Sequence, residues 1–203
     1  MRALDHIAVS ASTLEDGIRA VQAALGVSLQ PGGKHSYMGT HTALLGLGPD
    51  LYLEVIAVDP AAPRPAYPRW FDLDHFSGPP RLTNWILRVP DLDAALAQSP
   101  EGTGRPVSLA RGDFRWRMGV PADGRLPFDN LYPALIQWQE ALHPSDRPPD
   151  SGCRLVGLEL FHPQAVALRR AVDLDDPRIT ISEGPAPRLR ALFETPDGQK
   201  ILE

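Results

Sequence analysis

The sequence predicts an α+β fold in which a β-α-β-β-β unit is repeated along the chain. Residues 1–59 combine β-favouring runs with one amphipathic helical stripe, and the same order of elements returns after residue 82. Proline-rich breaks separate the units. With 203 residues, of which 43% are hydrophobic, the chain is long enough to bury a full core.

The first unit begins with a strand over residues 3–10 that leads into a helix. Alternation along this strand places His6 on one face and Asp5 on the other. We expect the helix to begin at Ser12, because a Ser with a Glu three residues later forms a capping box, and to end at Gly26. The apolar stripe of this helix consists of Leu14, Ile18, Val21 and Leu25.

Residues 39–59 contain two apolar strands joined by a Gly-Pro-Asp turn. Glu54 lies in the middle of the second strand, where an ionised carboxylate is costly unless a cation or a donor meets it. Alternation puts Tyr52 and Glu54 on one face, which we expect to line an enclosed space. By the same alternation His41 shares a face with Ala43, and the sequence predicts that one acid and one or two histidines share a pocket.

The second unit repeats the first without a gap in its opening strand and helix start. When the sequences of the two units are aligned, Asn84 corresponds to His6 and Gln137 corresponds to Glu54. A shorter βαββ-like unit follows at the C-terminus. We expect the chain to form one compact unit with four segments: a first module at 1–59, a linker or covering arm at 60–81, a second module at 82–144, and the C-terminal module at 153–203.

Composition narrows the classes of partner. The net charge is −5 with acidic and basic residues interspersed, which disfavours nucleic acids and anionic membrane surfaces and favours a small-molecule substrate or ligand. The sequence has no apolar run of roughly 18 residues, and the first residues lack the apolar core of a signal peptide, so a cytoplasmic location is predicted. Cys153 is the only cysteine and is expected to be a buried apolar residue.

Several short motifs are specific as a set. They are Leu4-Asp5-His6-Ile7, Leu25-Gly26-Val27, Gly32-Gly33-Lys34-His35, Gly39-Thr40-His41-Thr42-Ala43-Leu44-Leu45, Tyr52-Leu53-Glu54-Val55-Ile56 with Asp59-Pro60, and Ala134-Leu135-Ile136-Gln137-Trp138 with His143-Pro144. This set resembles the glyoxalase-like domain proteins of the vicinal oxygen chelate superfamily, which also includes glyoxalase I, extradiol dioxygenases and bleomycin-resistance proteins. The resemblance implies paired βαβββ modules whose mixed sheets curl around a cavity.

The resemblance also implies a divalent metal site. The ligand positions of the superfamily fall here on His6, Glu54, Asn84 and Gln137. Imidazole and carboxylate are good ligands for Zn, Mn or Fe, whereas amide oxygens bind such ions weakly. A site for Mg, Mn, Zn or Fe, with His41 or His35 as a replacement ligand, and a protein without metal therefore both stay open.

The His6 and Glu54 pair has two interpretations without a metal. In one, the two side chains form a satisfied ion pair with no ligand. In the other, Glu54 orients His6, which acts as a base or an acid on a substrate. Arg88, Arg115 and Arg117 are candidates for an inward cation that binds an acid or enolate oxygen. The predicted cavity residues are Tyr52, Asn84, Arg88, Gln137 and Trp138, with Ile56, Trp85 and Leu135 as further wall candidates.

Three functions are compatible with this sequence. The first is a glyoxalase-like enzyme in which His6 and Glu54, with or without a metal, act on a small oxygenated substrate by lyase, isomerase or dioxygenase chemistry. The second is a metal-free protein that sequesters a small molecule in a degenerate site. The third is a scaffold whose cavity is filled by its own side chains. A homodimer is compatible with each of them, because related modules pair either within one chain or between two.

Overall fold

The computed structural model of the protein describes residues 2–140, 142–146 and 148–203. The described residues form twelve β-strands and three α-helices, with short 3-10 helices at Trp70–Asp72 and Pro144–Asp146. In chain order the elements are β1 (Ala3–Ser10), α1 (Leu14–Leu25), β2 (Gln30–His35), β3 (Thr40–Gly46), β4 (Tyr52–Val58), β5 (Arg81–Arg88), α2 (Leu92–Ala97), β6 (Arg105–Arg111), β7 (Phe114–Val120), β8 (Ala134–Trp138), β9 (Arg154–His162), α3 (Ala165–Val172), β10 (Ile179–Glu183), β11 (Arg188–Thr195) and β12 (Gly198–Leu202).

The two modules form one eight-stranded mixed sheet with the order β2-β3-β4-β1-β5-β8-β7-β6. Each module closes with a parallel pair, β1 with β4 and β5 with β8, and the modules meet through the antiparallel pair of β1 and β5. The predicted α+β fold with repeated βαβββ modules is therefore confirmed. The modules pair within one chain.

Helix α1 covers the outer face of the first module. Thr13 is its N-cap and accepts a hydrogen bond from the Asp16 N–H, so the prediction that Ser12 caps the helix is wrong by one residue. Gly26 ends the helix in the left-handed conformation, as predicted. Gly17 lets the helix approach β4 closely, because a Cβ at this position would lie 2.4 Å from Cγ1 of Val55.

The C-terminal unit forms a separate four-stranded sheet with the order β10-β9-β11-β12. It has three strands after its helix, one more than the sequence pattern indicated. In this unit the first strand, β9, pairs in parallel with β10, the strand directly after the helix. In the first module, by contrast, β1 pairs in parallel with β4, the last strand. The main chain joins this unit to the large sheet where Leu82 N–H donates to the carbonyl of Glu203.

The large sheet curls until its two edge strands approach each other. Arg111, at the end of β6, reaches His35 at the end of β2, with 2.9 Å between Nη1 and Nε2. The concave face of the sheet therefore surrounds a hollow, which Trp70 and Phe71 of the first 3-10 helix cover. Among the described residues, no helix has the length and apolar character needed to cross a membrane.

Candidate functional site

The strand register decides which side chains face the hollow. His6 pairs with Tyr52 and Ala8 pairs with Glu54 across β1 and β4, so His6, Tyr52 and Glu54 share one face. In the second module, Ile136 and Trp138 of β8 occupy the equivalent face. The hollow contains about 330 Å³ of empty space, part of it open to solvent. Its lining residues are His6, His35, Tyr52, Glu54, Trp70, Phe71, Arg111, Trp116, Met118, Ile136 and Trp138.

A β-bulge brings Asp5 to the same site as His6. In the pairing with β5, Leu4 faces Leu87 and His6 faces Ile86, which leaves Asp5 as an extra residue on β1. The simple alternation that placed Asp5 on the opposite face is therefore wrong. The two neighbouring side chains hydrogen-bond each other, with 2.7 Å between Oδ1 of Asp5 and Nδ1 of His6.

Three ring N–H groups converge on the Asp5 carboxylate. Besides His6, Nε1 of Trp138 donates to Oδ2 at 2.9 Å, and Nε2 of His143 lies 3.1 Å from the same oxygen. Burial alone would raise the pKa of Asp5, but the hydrogen bonds of His143 and His6 and their positive charge outweigh it and hold the pKa well below its usual range. Asp5 is therefore a buried carboxylate at neutral pH.

These contacts assign the tautomers of both histidines. The backbone N–H of Ser145 donates to Nδ1 of His143, so the proton of neutral His143 lies on Nε2 and points at Asp5. His6 donates its Nδ1 proton to the same carboxylate. When His6 is neutral, its Nε2 carries a lone pair that faces the hollow and Glu54.

Glu54 faces this lone pair from the neighbouring strand. Its Oε2 lies 3.7 Å from Nε2 of His6, which is too far for a direct hydrogen bond. Glu54 is only 5% exposed. Burial raises the pKa of its carboxyl group, although the charges of His6 and Arg111 and a hydrogen bond with Thr42 oppose the rise. The site thus holds an imidazole acceptor and a carboxyl group that keeps its proton to a higher pH than an exposed Glu.

Tyr52 fixes the plane of the His6 ring. The two rings are stacked, with 4.4 Å between their centroids and 13° between their planes. Tyr52 also contacts the edge of His143. Burial and the nearby charges of Asp5 and Glu54 raise the pKa of Tyr52 well above its usual value, so the phenol stays neutral.

Several predicted site residues lie elsewhere. His41 pairs with Ala57, on the face opposite Glu54, so the expectation that it shares the pocket is wrong. Gln137 also points away from the hollow, because its amide bonds Pro90 and Leu92 at the start of α2. The match of Gln137 to Glu54 is therefore displaced by one residue, and Trp138 takes the inward position of β8.

The remaining cavity candidates divide in the same way. Tyr52 and Trp138 line the hollow. Asn84 is on the concave face but donates to the Asn130 carbonyl and does not reach the hollow. Arg88 lies at the strand end, 3.5 Å from Asp50. The further candidates Trp85 and Leu135 are on the convex face, where they pair with Ile7 and Leu87, and Ile56 is on the concave face outside the lining.

The inward cation is Arg111 rather than the three predicted arginines. Arg117 forms a two-pronged ion pair with Asp93 outside the hollow, and Arg115 bonds main-chain carbonyls of its own hairpin. Sequence reasoning missed Arg111 because it reaches the site only when the edge strands converge. The signal for it is Gly32-Gly33, since a Cβ on Gly33 would lie 3.0 Å from Cδ of Arg111.

The donor set does not fit a catalytic zinc or iron ion. Both oxygens of Asp5 and Nδ1 of His6 are engaged in hydrogen bonds with each other, Trp138 and His143. Among the described residues, Nε2 of His6 and the Glu54 carboxyl group remain. A catalytic zinc ion ordinarily has three protein ligands, whereas Mg²⁺ can bind through one carboxylate and water. The inward position of β8 carries Trp138 and not a ligand. In the described part of the chain, no three His, Cys, Asp or Glu side chains form a metal-binding group.

Residues 4–174 match the family of the glyoxalase-like domain. The chain belongs to this family. The glyoxalase-like chain is also similar in fold to a hypothetical protein from Staphylococcus aureus, at 14% identity and a TM-score of 0.59 over 93% of this chain and 88% of that one. A sequence comparison with curated proteins found no match.

Smaller similarities involve methylmalonyl-CoA epimerases. The Mycobacterium tuberculosis enzyme is 20% identical, with a TM-score of 0.44 over 68% of the glyoxalase-like chain and 88% of the epimerase. The Streptomyces coelicolor enzyme, in complex with 2-nitronate-propionyl-CoA, is 16% identical, with a TM-score of 0.42 over 68% and 97% of the two chains.

Proposed function

We propose that this protein is an acid–base enzyme that moves a proton on a small oxygenated organic substrate, in a reaction of the isomerase or lyase type. The observation that carries the proposal is the pair of His6 Nε2 and Glu54 Oε2, 3.7 Å apart in the hollow. Each atom is free to meet a substrate atom, because the pair is too far apart to satisfy itself.

The two groups have complementary roles. His6 is the base, since its Nδ1 proton is held by Asp5 and its Nε2 lone pair points into the hollow. Glu54 is the acid, because burial raises the pKa of its carboxyl group. In a 2-hydroxycarbonyl substrate, His6 takes the proton from the carbon that carries the hydroxyl group, the C–H electron pair forms the C=C bond of an enediol, and Glu54 protonates the carbonyl oxygen. Glu54 then takes the proton of the other hydroxyl group while His6 returns its proton to the former carbonyl carbon, which completes an isomerisation.

Asp5, Tyr52 and His143 are positioning residues in this proposal. Asp5 fixes the tautomer of His6 and stabilises the imidazolium that forms when His6 takes a proton. Stacking on Tyr52 holds the ring plane. Well-placed acid–base groups of this kind contribute roughly 10²–10⁴-fold in rate. The site does not fit an iron dioxygenase, because such an iron is held by two histidines and a carboxylate and only two donors are free among the described residues.

A metal-free sequestering function is the competing proposal. It is favoured by the aromatic walls of the hollow, which are provided by Trp70, Phe71, Trp116 and Trp138. Aromatic walls with a few polar groups are typical of sites that bind small molecules. The same walls also suit an enzyme, so only a test of chemistry separates the two proposals.

Hydrogen exchange in D₂O followed by proton NMR tests the enzyme proposal directly. The protein is incubated with a panel of small 2-oxo acids, hydroxyketones and aldehydes, and loss of the C–H signal next to the carbonyl group is measured. We expect exchange with the wild type and a loss of roughly 100-fold or more in His6→Gln and in Glu54→Gln. Arg19→Gln on the exposed face of α1 is the matched control and retains the rate.

Two outcomes contradict the proposal. Exchange that persists unchanged in both variants means that His6 and Glu54 are not the acid and base. A wild type whose melting temperature rises with panel compounds while no C–H bond exchanges supports sequestration instead. Circular dichroism of each variant checks that the fold is intact.

A further inference from the structure

Arg111 is a cation that lines the hollow without a direct carboxylate partner in the described part of the chain. Its Nη1 lies 2.9 Å from Nε2 of His35 and 3.4 Å from Oγ1 of Thr42, and both of these partners are neutral acceptors. Its Nε is buried and has no hydrogen-bond partner. Among the described residues, no carboxylate forms an ion pair with it within 4.0 Å. The guanidinium therefore keeps donor capacity and a full positive charge.

His35 keeps the arginine in place without neutralising it. Its Nδ1 bonds Oγ1 of Thr40 at 3.1 Å, and its Nε2 accepts from Arg111. Burial, followed by the charges of Arg111 and His6, holds the pKa of His35 well below its usual value. The imidazole is thus a neutral acceptor that orients the guanidinium toward the hollow.

Arg111 also borders a second recess that opens to the outside. This recess contains about 550 Å³ of empty space and is lined by Pro31, Leu44, Phe114 and Pro144. Arg111 is the residue that lines both the recess and the inner hollow. Arg111 is therefore shared by the outer recess and the space that holds His6 and Glu54.

We propose that Arg111 binds the carboxylate of a small anionic substrate, of the 2-oxo or 2-hydroxy acid class, and holds its reacting carbon toward His6 and Glu54. The inference rests on the proposed acid–base function and adds the charge of the substrate. A planar guanidinium with free N–H groups binds a carboxylate through two parallel hydrogen bonds. The limited size of the hollow restricts the remainder of the substrate to a few heavy atoms.

Binding of an anion also prepares Glu54 for its role as acid. In the free protein, the charge of Arg111 lowers the pKa of Glu54 against the effect of burial. A bound carboxylate cancels that charge and adds a negative one close by, so protonation of Glu54 becomes more favourable. Binding of the anion and uptake of a proton are therefore coupled.

Calorimetric titration with pyruvate and its neutral analogue pyruvamide tests the inference. We expect the wild type to bind pyruvate roughly 10- to 100-fold more tightly than pyruvamide, since a hydrogen-bonded charge pair supplies that difference. Arg111→Met removes the preference, and Arg111→Lys retains part of it. Arg105→Met, on an exposed arginine of the same strand, is the matched control and keeps the full preference.

Titrations in two buffers of different ionisation enthalpy measure the proton uptake. We expect uptake with pyruvate in the wild type and none in Glu54→Gln. Equal affinity for the two probes in the wild type, a preference that survives Arg111→Met, or absence of pyruvate binding overturns the inference.

The two proposals fail in different ways. A preference for pyruvate that depends on Arg111, without hydrogen exchange in any panel compound, refutes the acid–base function and leaves the anion site. Exchange of a 2-oxo acid at the same rate in Arg111→Met as in the wild type refutes the anion site and leaves the acid–base function.

Discussion

Replacement of Asp5 by Asn tests the interpretation that one buried carboxylate organises the site. The carboxylate accepts from Nδ1 of His6, Nε1 of Trp138 and Nε2 of His143. Asn has nearly the same shape but only one acceptor oxygen, and its NH₂ group must face at least one of the three ring N–H donors. Either one buried donor then has no acceptor, or His6 moves its proton from Nδ1 to Nε2 to accept from the new NH₂ group, and in both cases the charge-assisted hydrogen bonds are lost.

These losses set the expected magnitude. A hydrogen bond to a charged group contributes about 1.5–3 kcal/mol, and an unsatisfied buried donor costs about 1–3 kcal/mol. Part of this loss is offset because a buried charge is removed. We therefore expect Asp5→Asn to lower the free energy of unfolding at pH 7 by about 2–4 kcal/mol, a large share of the roughly 5–15 kcal/mol that is typical of a domain.

The pH dependence of this loss gives a second measurement. The pKa of Asp5 is lowered in the folded protein, so its contribution to stability is present above the unfolded value of about 3.9 and is lost as the pH falls further. The difference between wild type and Asp5→Asn is therefore expected to be constant from pH 7 to about pH 5 and to shrink below about pH 4.

Urea unfolding followed by tryptophan fluorescence measures the stability, and nitrogen-15 NMR of the imidazole reports the tautomer of His6. Asp93→Asn is the matched control, because Asp93 is an exposed carboxylate that forms a surface ion pair with Arg117, and it is expected to change stability little. The reasoning is refuted if Asp5→Asn unfolds at the same urea concentration as the wild type and His6 keeps its Nδ1 proton.

Two further predictions concern packing and domain organisation. Gly17→Ala is expected to lower the free energy of unfolding, measured by urea denaturation, by about 1–2 kcal/mol. The new Cβ would lie 2.4 Å from Val55 and 2.8 Å from Ala11, and this overpacking outweighs the better helix propensity of Ala. An equal or higher stability contradicts the close approach of α1 to β4. Thermal unfolding of the whole chain, followed by calorimetry, is expected to show one cooperative transition. The reason is that the C-terminal unit at residues 153–203 is joined to the large sheet by the main-chain hydrogen bond from Leu82 to Glu203. Two separate transitions would show that this unit folds alone.

Local patterns in the sequence predicted the elements and part of the site. Alternation placed Glu54 on the enclosed face of its strand, and the family resemblance paired it with His6; in the register of β1 and β4 the two residues share one face. The helix that ends at Gly26 and the repeat that aligns β5 with β1 follow equally from short-range signals. Such features depend on residues a few positions apart, which is why one sequence suffices to find them.

The other residues of the site could not be placed from the sequence. Asp5 faces the hollow because of a bulge, and alternation carries no information about an inserted residue. His143 reaches Asp5 from a segment 138 residues away along the chain. Both positions depend on how the strands are paired and not on local periodicity.

The sequence by itself therefore determined the order of strands and helices, the repeat of the module and the enclosed position of Glu54. Only the tertiary structure decided that Arg111 meets His35, that Trp138 and not Gln137 faces inward, and that Asp5 joins the two histidines. The physical reason is that side-chain direction within a strand is a local property. The curl of an eight-stranded sheet and the register between its modules result from the sum of many distant contacts.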